Sequence, residues 1–138
     1  MKKILFITCK DTIQSDFSNE IRILGSNYNC SVTSSLTEAY KIVQIGIDEV
    51  IMYPFYITYK GYKLLSDKNP IIFAAYWFWK QELAEKKIPT IVIDFQMQPA
   101  AFMREVKRME WEKDPNVKFF NHNHNLDTAR ELVKLIDI

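Results

Sequence analysis

Lys3-Ile4-Leu5-Phe6-Ile7-Thr8 opens the chain with an apolar run too short for a helix and with no polar alternation. Such a run reads as a β-strand buried on both faces, the pattern of a central strand in a parallel sheet. Two further runs share it, Asp48 to Tyr53 and Thr90 to Phe95. Asn29–Thr33 and Val117–Phe120 are shorter or more polar strands, suited to the edges.

Helical spacing fills the gaps between these runs. Phe17, Ile21 and Leu24 predict a first helix, with Gly25 placed to end it. Ser35 and Glu38 form a capping-box pattern ahead of Leu36, Ala39, Tyr40 and Val43, and Gly46 is the stop. Lys60–Ser66 predicts a short helix. Asn69-Pro70 predicts a cap and first turn for a helix running to about Lys87. Pro99 opens another, carrying Phe102, Val106 and Met109, and the last carries Leu126, Ala129, Leu132, Val133 and Ile136. Strands alternating with helices imply right-handed βαβ units. The expectation is one α/β domain over residues 1–138: a doubly wound, flavodoxin-like five-stranded parallel sheet of order 2-1-3-4-5, with helices on both faces.

Composition narrows the function classes. In 138 residues, 18 basic side chains face 17 acidic ones, so no basic field for nucleic acid or an anionic membrane is expected. The longest apolar run, Ile71 to Trp79, falls short of a membrane span. Ile4–Ile7 is too short for a secretory h-region, so Cys9 and Cys30 are read as reduced cytoplasmic thiols. No Gly-rich phosphate loop appears, and no cofactor is expected.

The chain resembles, along essentially its whole length, the receiver domains of two-component response regulators. Met1-Lys-Lys-Ile-Leu-Phe-Ile7 has the form that in receivers leads into a pair of acids. Leu36–Val43 is similar to the receiver's second helix, and Asp48–Tyr53 to the third strand, which there ends in the phospho-acceptor aspartate. Gly61 lies eight residues beyond Tyr53, the receiver's acceptor-to-glycine spacing. Pro89–Asp94 resembles the fourth strand, ending there in Thr or Ser, and Phe119–Asn121 the fifth, ending in lysine. A longer segment between the third and fourth strands is a departure.

Carried over position by position, the resemblance implies a receiver pocket without its chemistry. Thr8 and Cys9 stand where two acids would hold Mg²⁺, and neither is a good ligand for it. Tyr53 replaces the acceptor, Asp94 the hydroxyl and Asn121 the lysine. A carboxylate at Asp94 repels a phosphoryl group. A shifted register brings Asp11 into the pocket without restoring acceptor or lysine. The resemblance therefore implies a phosphorylation-independent interaction module, a pseudo-receiver with no intact catalytic constellation, whose partner is a protein or a second copy of itself.

Rival readings attach to single residues. Cys9 ends the first strand, as does the nucleophile of phosphotransferase-system IIB domains and low-molecular-weight tyrosine phosphatases. A phosphate-accepting carrier or phosphatase-like enzyme is thus the alternative. The following Lys10–Ser15 has no glycine or arginine to cradle phosphate, which favours an inert thiol. His122 and His124 fall one residue apart, a spacing open to Zn²⁺, but an asparagine-rich turn into the last helix explains them and no metal is expected. Phe73, Tyr76, Trp77, Phe78 and Trp79 make a helix apolar nearly all round, either core or docking surface. Tyr56, Tyr59, Tyr76, Trp77 and Trp79 are the candidate interaction surface. The mixed charges from Arg104 to Lys113 read as a solvated helix face.

Overall fold

The computed structural model describes residues 2–8, 18–53, 62, 70–95, 111–122 and 126–136. Five strands, β1 Lys3–Ile7, β2 Asn29–Thr33, β3 Glu49–Met52, β4 Thr90–Phe95 and β5 Val117–His122, form one sheet of order β2-β1-β3-β4-β5. Every neighbouring pair is parallel. Four helices are described: α1 Ser18–Asn27, α2 Leu36–Ile45, α3 Pro70–Phe78 and α4 Leu126–Ile136. A π-helical turn, Trp79–Leu83, continues α3, and a 3₁₀ turn spans Trp111–Lys113.

Period-two alternation along the strands divides the core in two. Ile4 and Phe6 of β1, Ile51 of β3, Ile91 and Ile93 of β4 and Phe120 of β5 pack with Leu24 of α1 and Leu132 and Ile136 of α4. Leu5, Ile7, Val50, Met52 and Val92 face the other way, against α2, α3, the π turn and Trp111. Because both faces are covered, β1 and β3 are apolar on both sides beyond their first residues, Lys3 and Glu49. The expected strand order and two-sided helical cover are what the chain adopts, with the more polar β2 and β5 at the edges.

Ser35 caps α2 by accepting the Glu38 N–H at 3.4 Å. The return half of the capping box is relayed. The Ser35 N–H donates to Thr33 Oγ1 at 3.1 Å, and that hydroxyl donates to Glu38 Oε2 at 2.9 Å. At the other end the Gly46 N–H donates to the Ile42 carbonyl at 3.2 Å, and Gly46 adopts φ 129°. A Cβ there would meet nothing within 4 Å, so the cost of adding one is purely conformational. Gly46→Ala is expected to destabilise the protein by about 1–2 kcal/mol, measured by urea unfolding. A neutral substitution would mean that the α2–β3 connection rearranges freely.

Four expectations need correction. Gly25 does not end α1, which runs on to Asn27. There Ser26 Oγ and Asn27 Nδ2 donate to the Arg22 and Ile23 carbonyls at 3.0 and 2.8 Å, closing the last turn without help from glycine. The helix from Pro70 does not stay regular to Lys87. The Ala84 N–H bonds the carbonyl five residues back, on Trp79, at 2.9 Å, and Lys87 at φ 55° turns the chain toward β4. β5 continues two residues past Phe120, paired with Asp94 and Phe95 of β4. Tyr40, expected inward with Ala39 and Val43, is 40% exposed. Of the short helix expected at Lys60–Ser66, only Tyr62 is described, and it is in neither helix nor strand. The helix expected from Pro99 lies outside the described residues.

Where the strands begin, two lysines tie α4 to the sheet. Lys2 Nζ lies 3.2 Å from Glu49 Oε2 and 3.0 Å from the Ile136 carbonyl, and Lys118 Nζ donates to the Leu135 carbonyl at 3.2 Å. Both meet carbonyls that the end of a helix leaves without internal partners, where cations are favoured.

Candidate functional site

Open parallel sheets bind ligands beyond the carboxyl ends of their strands, near the reversal of strand order. Here that reversal falls between β1 and β3. The Thr8 N–H donates to the Thr33 carbonyl at 2.9 Å, and the Tyr53 N–H to the Ile7 carbonyl at 2.8 Å, so hydrogen bonding continues one residue past β1 and β3. Register then sets the rim. Met52 pairs with Val92, which puts Tyr53 level with Ile93, and Asp94 one step further out pairs with Asn121. Four expected pocket residues, Thr8, Tyr53, Asp94 and Asn121, thus meet at one end of the sheet. Cys9 and Asp11 lie outside the described residues.

Tyr53 does not project into open space. It is 4% exposed and packs with Ile51, Ile93 and Phe120 on the α1/α4 face, the face that alternation from Ile51 assigns to it. Thr8 is fully buried. The end of β3 therefore carries an inward aromatic ring.

Of the three described residues of the expected aromatic surface, two turn inward. Tyr76 and Trp79 are 6% and 7% exposed; Tyr76 meets Trp111 edge to face at 5.4 Å between centroids, and Trp79 lies tilted against it at 5.9 Å. Trp77 is half-buried, with Lys80 Nζ 5.3 Å from its ring centroid. Trp111 and Phe119 supply the additional cover that lets a helix apolar on several sides stay inside. Tyr56 and Tyr59 lie outside the described residues.

Burial pushes the Cys30 thiol up to about 11, so it stays protonated and poorly nucleophilic at neutral pH. No group of three or more His, Cys, Asp and Glu side chains suited to a metal ion occurs among the described residues, and His124 falls outside them. None of the described helices is long and apolar enough to cross a membrane. Sequence reading missed two polar clusters: Lys2–Glu49, and a hydrogen-bonded group around Tyr62. Neither has a local signal, because the partners lie 47 and 20 residues apart.

The sheet order and two-sided helical cover define the flavodoxin-like fold in its receiver form. Two solved structures share it along nearly their full lengths. The solution structure of SdrG from Sphingomonas melonis Fr1 aligns with TM-score 0.51 at 12% identity, over 100% of this chain and 98% of that one. The crystal structure of a response regulator receiver protein from Sinorhizobium medicae WSM419 aligns with TM-score 0.53 at 13% identity, over 96% and 94%. No protein-family model and no curated protein matches the sequence. At this level of identity the likeness is one of fold.

Proposed function

We propose that this chain is a phosphorylation-independent, receiver-like interaction module of the cytoplasm that docks on a protein partner or on a second copy of itself. The observation that carries the reading is Tyr53. In a receiver-type fold the residue just after β3 is the acceptor position by resemblance, and here it is an almost fully buried tyrosine. Asp94 and Asn121, paired in register across β4 and β5, stand by resemblance in place of the hydroxyl and lysine that the phosphoryl oxygens need. Burial of Tyr76 and Trp79 leaves Trp77 as the described part of the aromatic contact surface first expected.

Intact-protein mass after incubation with acetyl phosphate and Mg²⁺ tests this, with a phosphorylatable receiver alongside. The expected result is no phosphoryl adduct on this chain while the control is labelled. An adduct would overturn the reading. Its position would then separate a phosphocysteine at Cys9, the carrier or phosphatase-like alternative, from an aspartyl phosphate.

A further inference from the structure

β2 forms one edge of the sheet, with β1 on its inner side only. The Asn29 N–H donates to the Lys2 carbonyl at 3.0 Å and the Thr8 N–H to the Thr33 carbonyl at 2.9 Å. Backbone direction alternates along a strand, so Asn29, Ser31 and Thr33 turn toward β1 while Cys30 and Val32 turn outward. Among the described residues nothing pairs with the outward N–H and C=O groups of Cys30 and Val32. The Tyr28 N–H, next in the outward series, is already held by the Leu24 carbonyl at 2.9 Å.

Exposed edges are ordinarily guarded by charged side chains, proline or a bulge. Asn29–Thr33 has no charge and no proline, and it pairs with β1 residue for residue, from Lys3 against Asn29 to Ile7 against Thr33. Nor does α2 roof this edge. A groove of about 220 Å³ opens there, lined by Asn29 and Ser31 of the strand and by Ile42, Ile45 and Ile47. Ile45 is 83% exposed. On the other face Cys30 and Val32 are half-buried against the α1/α4 core.

We propose that β2 is a homotypic docking edge, to which a second copy of the chain adds its own β2 in antiparallel register. The inference rests on the docking reading above and narrows it to one occupant and one face. The pairing that the free groups allow selects that occupant. With Ser31 at the centre, Cys30 of each copy faces Val32 of the other and exchanges both backbone bonds with it. Asn29 then faces Thr33, and Ser31 meets itself across a two-fold axis. Every outward group is used, and no like charges are opposed. The chain's net charge of +1 adds little repulsion at longer range. A centre at Cys30 would call on the Tyr28 N–H that α1 already holds, and one at Val32 would need Ser34, beyond the end of β2.

Sedimentation equilibrium on the full chain tests it, over a concentration series reaching roughly the millimolar range where small interfaces associate. The unsubstituted protein is expected to pass from monomer to dimer. Ser31→Lys and Ser31→Asp each set like charges across the axis and should weaken the dimer about fivefold or more. An equal mixture of the two should associate at least as well as the unsubstituted protein, a rescue that damage to the fold cannot produce. Should either variant fail to fold, Cys30→Ser combined with Ser31→Cys decides. Under an added disulfide oxidant it should give a dimer joined through residue 31, and failure to cross-link would count against the edge. A monomer at every concentration, or a dimer that neither charge perturbs, would overturn the proposal. The monomer would leave the edge to a strand of another protein. A phosphoryl adduct in the acetyl phosphate assay would remove the phosphorylation-independent reading and leave the dimer result standing, so the two failures are separable.

Discussion

Trp111→Ala is expected to lower the unfolding free energy by about 3–5 kcal/mol, the largest effect of any single truncation considered. Trp111 is 1% exposed and is the largest of the fully buried side chains. It contacts Tyr76, Trp79 and Phe119 with ring centroids 5.4 to 5.9 Å apart. Those neighbours belong to α3, the π turn and β5, so collapse around the cavity would need three elements to move together. Trp111→Phe should cost much less, about 1–2 kcal/mol. The reason is that the buried indole Nε1–H finds no acceptor among the described residues, and removing an unmet donor returns part of the lost packing energy. Urea unfolding of both variants checks this. Equal losses would show that the indole nitrogen is satisfied and that its hydrogen bond matters.

The second large effect concerns the amino end of the sheet. Lys2→Met is expected to cost about 2–3 kcal/mol and Glu49→Gln only about 1 kcal/mol. The asymmetry comes from exposure. The Glu49 side chain is 5% exposed and that of Lys2 40%. Removing the ammonium leaves a buried carboxylate without its cation and takes a donor from the Ile136 carbonyl. Removing the carboxylate charge leaves Lys2 free to turn into water, and the glutamine can still accept. The figure for Lys2 is set below the usual cost of breaking a buried pair because solvent screens its exposed half. If Lys2→Met stayed within about 0.5 kcal/mol of the parent protein, water would be serving Glu49 as well as the lysine does.

Much of the architecture was legible because two-sided burial writes itself into sequence. β1, β3 and β4 are nearly all apolar, as central strands covered on both faces should be. Tyr53 was read as a pocket residue, although alternation from Ile51, two residues back, sets it on the packed α1/α4 face. Local signals failed where side chains at a distance could substitute for them. Gly25 looked like a stop, but Ser26 and Asn27 close the turn instead. The helix Pro70–Phe78 looked equally suited to core or surface, because the residue that decides the matter, Trp111, lies far along the chain. The Tyr62 cluster draws on residues 44, 62, 81 and 82, a grouping no periodicity predicts.

The bond between Lys2 and Ile136 has a meaning in time as well as in space. Its partners are 134 residues apart. During synthesis Lys2 emerges ahead of Glu49, and Glu49 reaches it well before α4 exists. The carbonyl that completes its coordination, on α4, is made 134 residues after it. Sheet order compounds the delay, since β1 and β3 can pair early while β5 and α4 must wait. Until then Ile4, Phe6 and Ile51 lack the part of their cover that Leu132 and Ile136 supply, and the nascent chain carries a partly open apolar face. Lys2 thus acts as a latch across the sequence: the first strand is tied down at this end only once α4 has been made.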